Sequence, residues 1–259
     1  YSEGLNYFRN ARRKMAYPMA ERTLTTAIIP PKSKHINGII SIYFDNQDDL
    51  VVFTGLSNSV IYDFFIKILN KTNLTEDVVK ILPFKSDINW RIKSRTLRLN
   101  CLTKDYAPLW YSEYDERFNN DSFSSEDSRY STYGNLSNNW DWNTPLRNFY
   151  ERRQALVELD ALVALELDIS LESLLAIYRI QFPILNKNER GTWYDQRGKV
   201  VFSVNPAYRP LNNKEVFEFW DGKSTEPIDG FIPPFETCDR EKDMKQAYEY
   251  FGKIIEEES

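Results

Sequence analysis

The chain has 259 residues, of which 42% are apolar and 15% aromatic, and its formal net charge is −5. This composition excludes a disordered chain, and no apolar run approaches the roughly 20 residues of a spanning helix, which argues against a membrane protein. The two cysteines, Cys101 and Cys238, cannot form a disulfide scaffold or a thiolate metal cluster and favour a reducing cytoplasm. The single histidine, His35, excludes any site that needs two histidines. Because the chain begins at Tyr1, we expect an excerpt of a longer protein.

Positive charge is concentrated in the first hundred residues. Residues 1–100 carry 15 Lys/Arg and 9 Asp/Glu, a balance of +6, whereas residues 101–259 carry 18 and 29, a balance of −11. Most of the basic residues before position 100 lie in two stretches, 1–34 and 85–98. A field of one sign on one segment attracts a polyanion even when the whole chain is acidic. The simpler interpretation of each stretch is a solvated surface.

Strands and short helices are predicted along the first hundred residues. Residues 9–16 suit either a helix or a strand. Ser57-Asn58-Ser59 offers the side chains that cap a helix over Val60–Leu69, and another short helix is predicted to begin at Thr75. Short β-branched and apolar runs predict strands over 23–29, 36–44 and 50–54.

The second half of the chain is predicted to be mostly helical. An apolar stripe predicts a helix over 147–167, a second helix follows it up to Pro183, and a charged helix covers 239–257. A turn at 196–198 predicts a small hairpin. We therefore predict an α+β fold. Its parts are a mixed sheet-and-helix domain over 1–100, a loop-rich linker over 101–146 and a mostly helical C-terminal domain with a small hairpin over 147–259.

No complete catalytic or metal-binding constellation is present in the sequence. Asn205-Pro206-Ala207-Tyr208 is similar to the Asn-Pro-Pro-Tyr motif of amino-methyltransferases, but it lacks the second proline and a preceding Gly-rich donor loop. Metal nucleases often have a carboxylate two residues before a lysine, and Asp221 and Asp243 stand in such pairs. Chance alone predicts about as many pairs, so these two do not indicate a nuclease site. We therefore expect no catalytic residue and no metal ligand in this chain.

Two blocks of sequence carry a family resemblance. The first is Arg13-Lys14-Met15-Ala16 followed by Glu21-Arg22-Thr23-Leu24 and an aliphatic run that ends at Pro30-Pro31. The second begins at Glu151-Arg152-Arg153-Gln154 and continues through Ile177–Pro183 and Trp193-Tyr194-Asp195. Together they resemble the C-terminal target-recognition region of large bacterial DNA adenine methyltransferases, which include Type IIG restriction–modification enzymes and phage-defence methylases. Tyr17-Pro18-Met19-Ala20 stands where the family has a polar turn.

The resemblance implies a function and a set of partners. It implies that the chain is a non-catalytic module for sequence-specific recognition of double-stranded DNA, and that residues 9–16 form a strand paired with 23–29. The adenine-N6 methyltransferase domain would lie upstream in the same chain, and S-adenosylmethionine would be the cofactor of that parent enzyme, not of this module. A bacterial cytoplasm is the expected location. The alternative is a protein-interaction or scaffold module whose basic strands bind an acidic partner.

The expected DNA contacts are basic side chains, because lysine and arginine on phosphates supply most of the affinity for a duplex. Successive side chains of a strand point to opposite faces, so a strand over 9–16 places Arg9 and Arg13 on one side and Arg12 and Lys14 on the other. At least one of these two basic sets is therefore exposed. Arg22 has the alternative of a structural ion pair with Glu21 or a bond to a turn carbonyl. For a basic strand over 91–95 the alternative is a charged edge strand. The predicted DNA-binding residues are Arg9, Arg12, Arg13, Lys14, Arg22, Lys32, Lys34, Arg91, Lys93 and Arg95.

Overall fold

The computed structural model describes residues 3–205 and 230–258, and these residues form two small sheets among α-helices. The α+β fold class predicted from the sequence is confirmed. The first sheet consists of β1 (Arg9–Arg13), β2 (Thr26–Ile29) and β3 (Ile39–Tyr43), and the second of β4 (Thr192–Tyr194), β5 (Val200–Ser203) and β6 (Glu236–Thr237). The helices are α1 (Gln47–Ser57), α2 (Val60–Leu69), α3 (Glu76–Lys80), α4 (Trp90–Asn100), α5 (Ala107–Glu113), α6 (Phe149–Glu166), α7 (Leu171–Gln181), α8 (Pro183–Arg190) and α9 (Arg240–Glu258).

The first sheet has β1 at its centre, and β1 pairs with β2, which confirms the predicted pairing of 9–16 with 23–29. Arg9 lies opposite Ile29 on β2 and opposite Tyr43 on β3, and both pairings are antiparallel. Since β2 and β3 both run against β1, they run parallel to each other. The chain between Ile29 and Ile39 must therefore cross from one edge of the sheet to the other.

Two predicted strands are helices in the structure. Residues 50–54 lie inside α1, which Asn46 caps, and residues from Leu50 to Ser57 are all buried. A short apolar run is compatible with a buried strand or a buried helix, so its period does not distinguish the two. Residues 91–95 lie in α4, which the side chain of Asn89 caps at the Arg91 amide. The strand predicted there was wrong.

Buried side chains from both halves of the chain form one large core. The main cluster takes Leu24 and Ile92 from the first hundred residues and Leu159 and Phe251 from helices α6 and α9. Residues 101–146 contain little regular structure beyond α5, yet aromatic side chains outside that helix, such as Phe118 and Tyr133, are buried. The C-terminal residues from 147 onward, which we call the helical half, therefore pack directly against the helices of the first hundred residues.

The second sheet contains the predicted hairpin. β4 and β5 pair in antiparallel fashion, and Gly198 adopts a left-handed φ of 73° in the turn between them. The Asp195 carboxylate accepts hydrogen bonds from the amides of Arg197 and Lys199, both at 2.9 Å, which fixes the turn. Two features singled out in the sequence, the remainder of the Asn205-Pro206-Ala207-Tyr208 motif and Asp221, lie outside the described residues.

Across residues 3–205 and 230–258, no single helix has the length and apolar character needed to cross a membrane. Only α1 and α2 taken together reach that length and composition, and they are bent by 75° at the break between them.

Candidate nucleic-acid interface

A crossover segment, residues 30–38, joins β2 to β3 across one face of the first sheet. The side chain of Arg9 points to this face and anchors the segment, because its guanidinium donates to Ser41 Oγ at 3.1 Å and to the carbonyl of Ser33. His35 Nε2 lies 2.8 Å from the same Ser41 hydroxyl. Arg9 is 6% exposed as a result. Arg9 therefore lies beneath the crossover segment and holds it against the sheet.

The crossover segment presents two of the predicted basic residues to solvent. Lys32 and Lys34 both have exposed side chains. The backbone of Lys32 is held in a left-handed conformation with φ 66°, and its amide donates to the Leu5 carbonyl at 2.6 Å. At the far end of the segment, the half-buried Lys14 donates from Nζ to Asn37 Oδ1 at 3.2 Å. We call Lys14, Lys32 and Lys34 the lysine surface.

The lysine surface has no carboxylate partner among the described residues. From Asn6 to Phe44 the sequence contains a single acidic residue, Glu21. The Glu21 carboxylate accepts hydrogen bonds from the side-chain amides of Asn188 at 2.6 Å and Asn205 at 2.7 Å, both in the helical half. That carboxylate is thus held toward α8 and the end of β5, and the charge of the three lysines is not neutralised locally.

Arg12 and Arg13 point to opposite faces of the first sheet. Arg12 is 1% exposed on the side of the helices, where its Nε donates to the Leu74 carbonyl at 2.9 Å. Burial lowers the pKa of Arg12 to about 10, and the nearby Glu76 carboxylate opposes that shift. A side chain buried this deeply does not reach a phosphate, so the DNA contact predicted for Arg12 is not supported. Arg13 is half-buried, and its Nη2 donates to the Arg22 carbonyl at 3.2 Å.

The Glu-Arg-Thr-Leu motif is hydrogen-bonded to the start of α2 and so connects the first sheet to that helix. The buried Asp63 carboxylate accepts from Arg22 Nε at 2.6 Å and from the amides of Thr23 and Leu24 at 3.0 Å. The Nη2 group of Arg22 donates to the carbonyls of Asn58 and Ser59 at 2.9 Å. Arg22 therefore has the structural role that the sequence left open, and its ion-pair partner is Asp63 instead of Glu21.

The basic residues of α4 are used inside the protein. The guanidinium of Arg95 is fully buried and pairs with Asp121 at 2.7 Å and with Glu158 at 2.8 Å. Arg91 is 4% exposed and makes a two-pronged ion pair with Glu258, at 2.8 and 2.6 Å. Lys93 pairs with Asp48 at the start of α1. The basic strand predicted for these three residues is replaced by a helix, and all three cations pair with carboxylates of the same chain.

The structure thus brings together part of the predicted site. Arg9, Arg13, Lys14, Lys32 and Lys34 lie on or beside one face of the first sheet, whereas Arg12, Arg22 and the α4 cations lie in the interior or at its border. The ordering role of Ser41 and Asn37 was not predicted from the sequence. The bond between Lys14 and Asn37 depends on strand order, which the local sequence does not give.

Comparison with known proteins gave no match among family models, curated proteins or solved structures. Within the described part of the chain, no group of three or more His, Cys, Asp or Glu side chains is arranged to hold a metal ion.

Proposed function

We propose that this chain binds double-stranded DNA through the lysine surface and serves as the target-recognition module of an adenine-N6 DNA methyltransferase. The observation that carries the proposal is the set of three lysines on and beside the anchored crossover segment, with no carboxylate partner in the described residues. Unneutralised lysines are the groups that displace counterions from phosphates and give a duplex its affinity.

The anchoring of the crossover segment supports binding in a fixed register. Arg9 ties the segment to β3 through Ser41, and Lys14 ties it to the end of β1 through Asn37. Phosphate contacts from rigid elements orient a protein on the duplex, whereas base edges are contacted by a few additional side chains. Arg13 and Asn37, at the border of the lysine surface, are suited to such base contacts, because arginine pairs with guanine and asparagine with adenine.

The remaining parts of the proposal follow from the family resemblance. The methyl transfer would belong to an upstream domain that uses S-adenosylmethionine, in a restriction–modification or phage-defence enzyme of the bacterial cytoplasm. The acidic helical half would then support the recognition sheet, because its carboxylates repel phosphate.

The salt dependence of duplex binding tests the proposal. We expect the dissociation constant of a duplex to rise steeply with salt, and Lys14→Ala/Lys32→Ala/Lys34→Ala to lower the slope of log K against log salt by about 2 to 3. The matched control removes three exposed lysines of α9, Lys242→Ala/Lys245→Ala/Lys253→Ala. Equal slopes for the two triple variants, or no duplex binding by the wild type, would refute the proposal.

A further inference from the structure

Three large apolar side chains project from the connection between β1 and β2. Met15 is 65% exposed, Tyr17 61% and Met19 72%, whereas the intervening Ala16 and Pro18 are half-buried. We call Met15, Tyr17 and Met19 the apolar tip. A group of large exposed apolar residues on a protein surface marks an interaction site more often than single exposed residues do.

The backbone beneath the apolar tip is fixed by hydrogen bonds. Met15 forms an antiparallel bridge with Asn73, and the amide of Ala16 donates to the Thr72 carbonyl at 3.0 Å. Lys67 Nζ donates to the Pro18 carbonyl at 2.7 Å. The chain is thus held on both sides while the three side chains point away from the core. The three side chains are therefore exposed although the backbone that carries them is fixed.

The apolar tip is continuous with the lysine surface. Lys14 immediately precedes Met15, and the Lys14 amide donates to the Gly38 carbonyl of the crossover segment at 2.8 Å. The crossover segment adds a further apolar side chain, Ile36, which is 80% exposed. An apolar projection bordered by unneutralised lysines is complementary to a duplex, whose phosphates lie outside and whose base faces are apolar.

We infer that the apolar tip inserts a side chain between neighbouring base pairs of the bound duplex and unstacks them. This inference rests on the proposed function, and it adds a mode of contact to it. Methionine and other apolar side chains act as wedges between base steps in proteins that kink DNA, and a tyrosine ring can stack on an exposed base face. The neighbouring lysines would hold the phosphates of the opened step.

Fluorescence of a base analogue tests the insertion. The 259-residue chain is first used to select a tightly bound duplex from a library with randomised base pairs. In that duplex 2-aminopurine, which brightens when it loses its stacking neighbours, replaces each adenine of both strands in turn. We expect the wild type to raise the fluorescence at one or two neighbouring positions. We expect Met15→Ala/Tyr17→Ala/Met19→Ala to abolish the rise and to weaken binding about tenfold, with an unchanged salt slope.

The control variant removes three exposed apolar side chains from other elements, Tyr111→Ala/Ile180→Ala/Ile232→Ala, and should behave as the wild type. If the wild type binds the duplex without a fluorescence rise, and the tip variant binds equally well, the insertion is wrong and the proposed function stands. If no duplex is bound, both are wrong. A wild-type dimer in sedimentation analysis that the tip variant abolishes would assign the tip to self-association and overturn the insertion.

Discussion

Arg12 of the first sheet and Arg95 of α4 are equally buried but have different partners. Arg95 lies between two carboxylates, Asp121 and Glu158, and although burial lowers its pKa, those neighbours raise it overall. Arg12 is as deeply buried, yet its hydrogen-bond partner in the described structure is the Leu74 carbonyl, and both Nη atoms lack one. The number of basic residues in a segment therefore does not give the number of cations available to a ligand.

The largest expected effect is the loss of the Arg95 guanidinium. Arg95→Ala leaves Asp121 and Glu158 buried without their common cation, and we expect the free energy of unfolding to fall by about 3–5 kcal/mol. Urea denaturation measures the change. Arg117→Ala is the control, because Arg117 is 60% exposed in its pair with Asp115 and should cost less than about 1 kcal/mol. Similar losses for the two variants would contradict the comparison, and Arg95→Lys provides a second variant if the alanine protein does not fold.

A smaller effect is expected at Arg12. Arg12→Met replaces a buried cation that lacks a carboxylate partner with an apolar chain, and we expect a change within about 1 kcal/mol at pH 7. The pKa of Arg12 is about 10 in the folded protein and higher in the unfolded chain, so above pH 10 the unfolded chain binds more protons. Wild-type stability should therefore rise relative to the variant as the pH rises through about 10. A difference that is constant with pH would show that Arg12 keeps its proton through this range and would contradict the lowered pKa.

The most local effect on stability is expected at Arg9. Arg9→Ala removes the bonds to Ser33 and Ser41, and we expect a loss of about 1 kcal/mol together with faster amide exchange in residues 33–35. Hydrogen exchange followed by mass spectrometry measures the exchange rates, with the β4–β5 hairpin as the internal reference. Unchanged exchange in the crossover segment would mean that Arg9 does not hold it.

Local patterns predicted those elements that depend on local chemistry. The helix over Val60–Leu69 and its cap at Ser59 follow from an apolar face and a side chain that accepts from the Tyr62 amide at 3.3 Å. Local pattern left residues 9–16 open between helix and strand, and the strand was predicted from the family resemblance alone. The run at 50–54 was misassigned because an apolar stretch of that length has no period that separates a helix from a strand.

The candidate site was only partly predictable because charge pairing is a long-range property. Arg91 and Arg95 alternate with Lys93 as they would on a strand, but a spacing of four also places two arginines on one helix face. Their partners Asp121, Glu158 and Glu258 lie 26 to 167 positions away in the chain. Only the strand order of the first sheet explains why Lys32 and Lys34 lie at the surface together with Lys14.

The most direct test of DNA binding by the lysine surface is the chemical reactivity of individual lysines with and without a duplex. The chain is acetylated briefly, and the extent of modification at each lysine is measured by mass spectrometry. We predict that DNA protects Lys14, Lys32 and Lys34, while Lys242, Lys245 and Lys253 on α9 react as before. Protection of the α9 lysines alone, or equal reactivity of all six with and without DNA, would contradict this prediction.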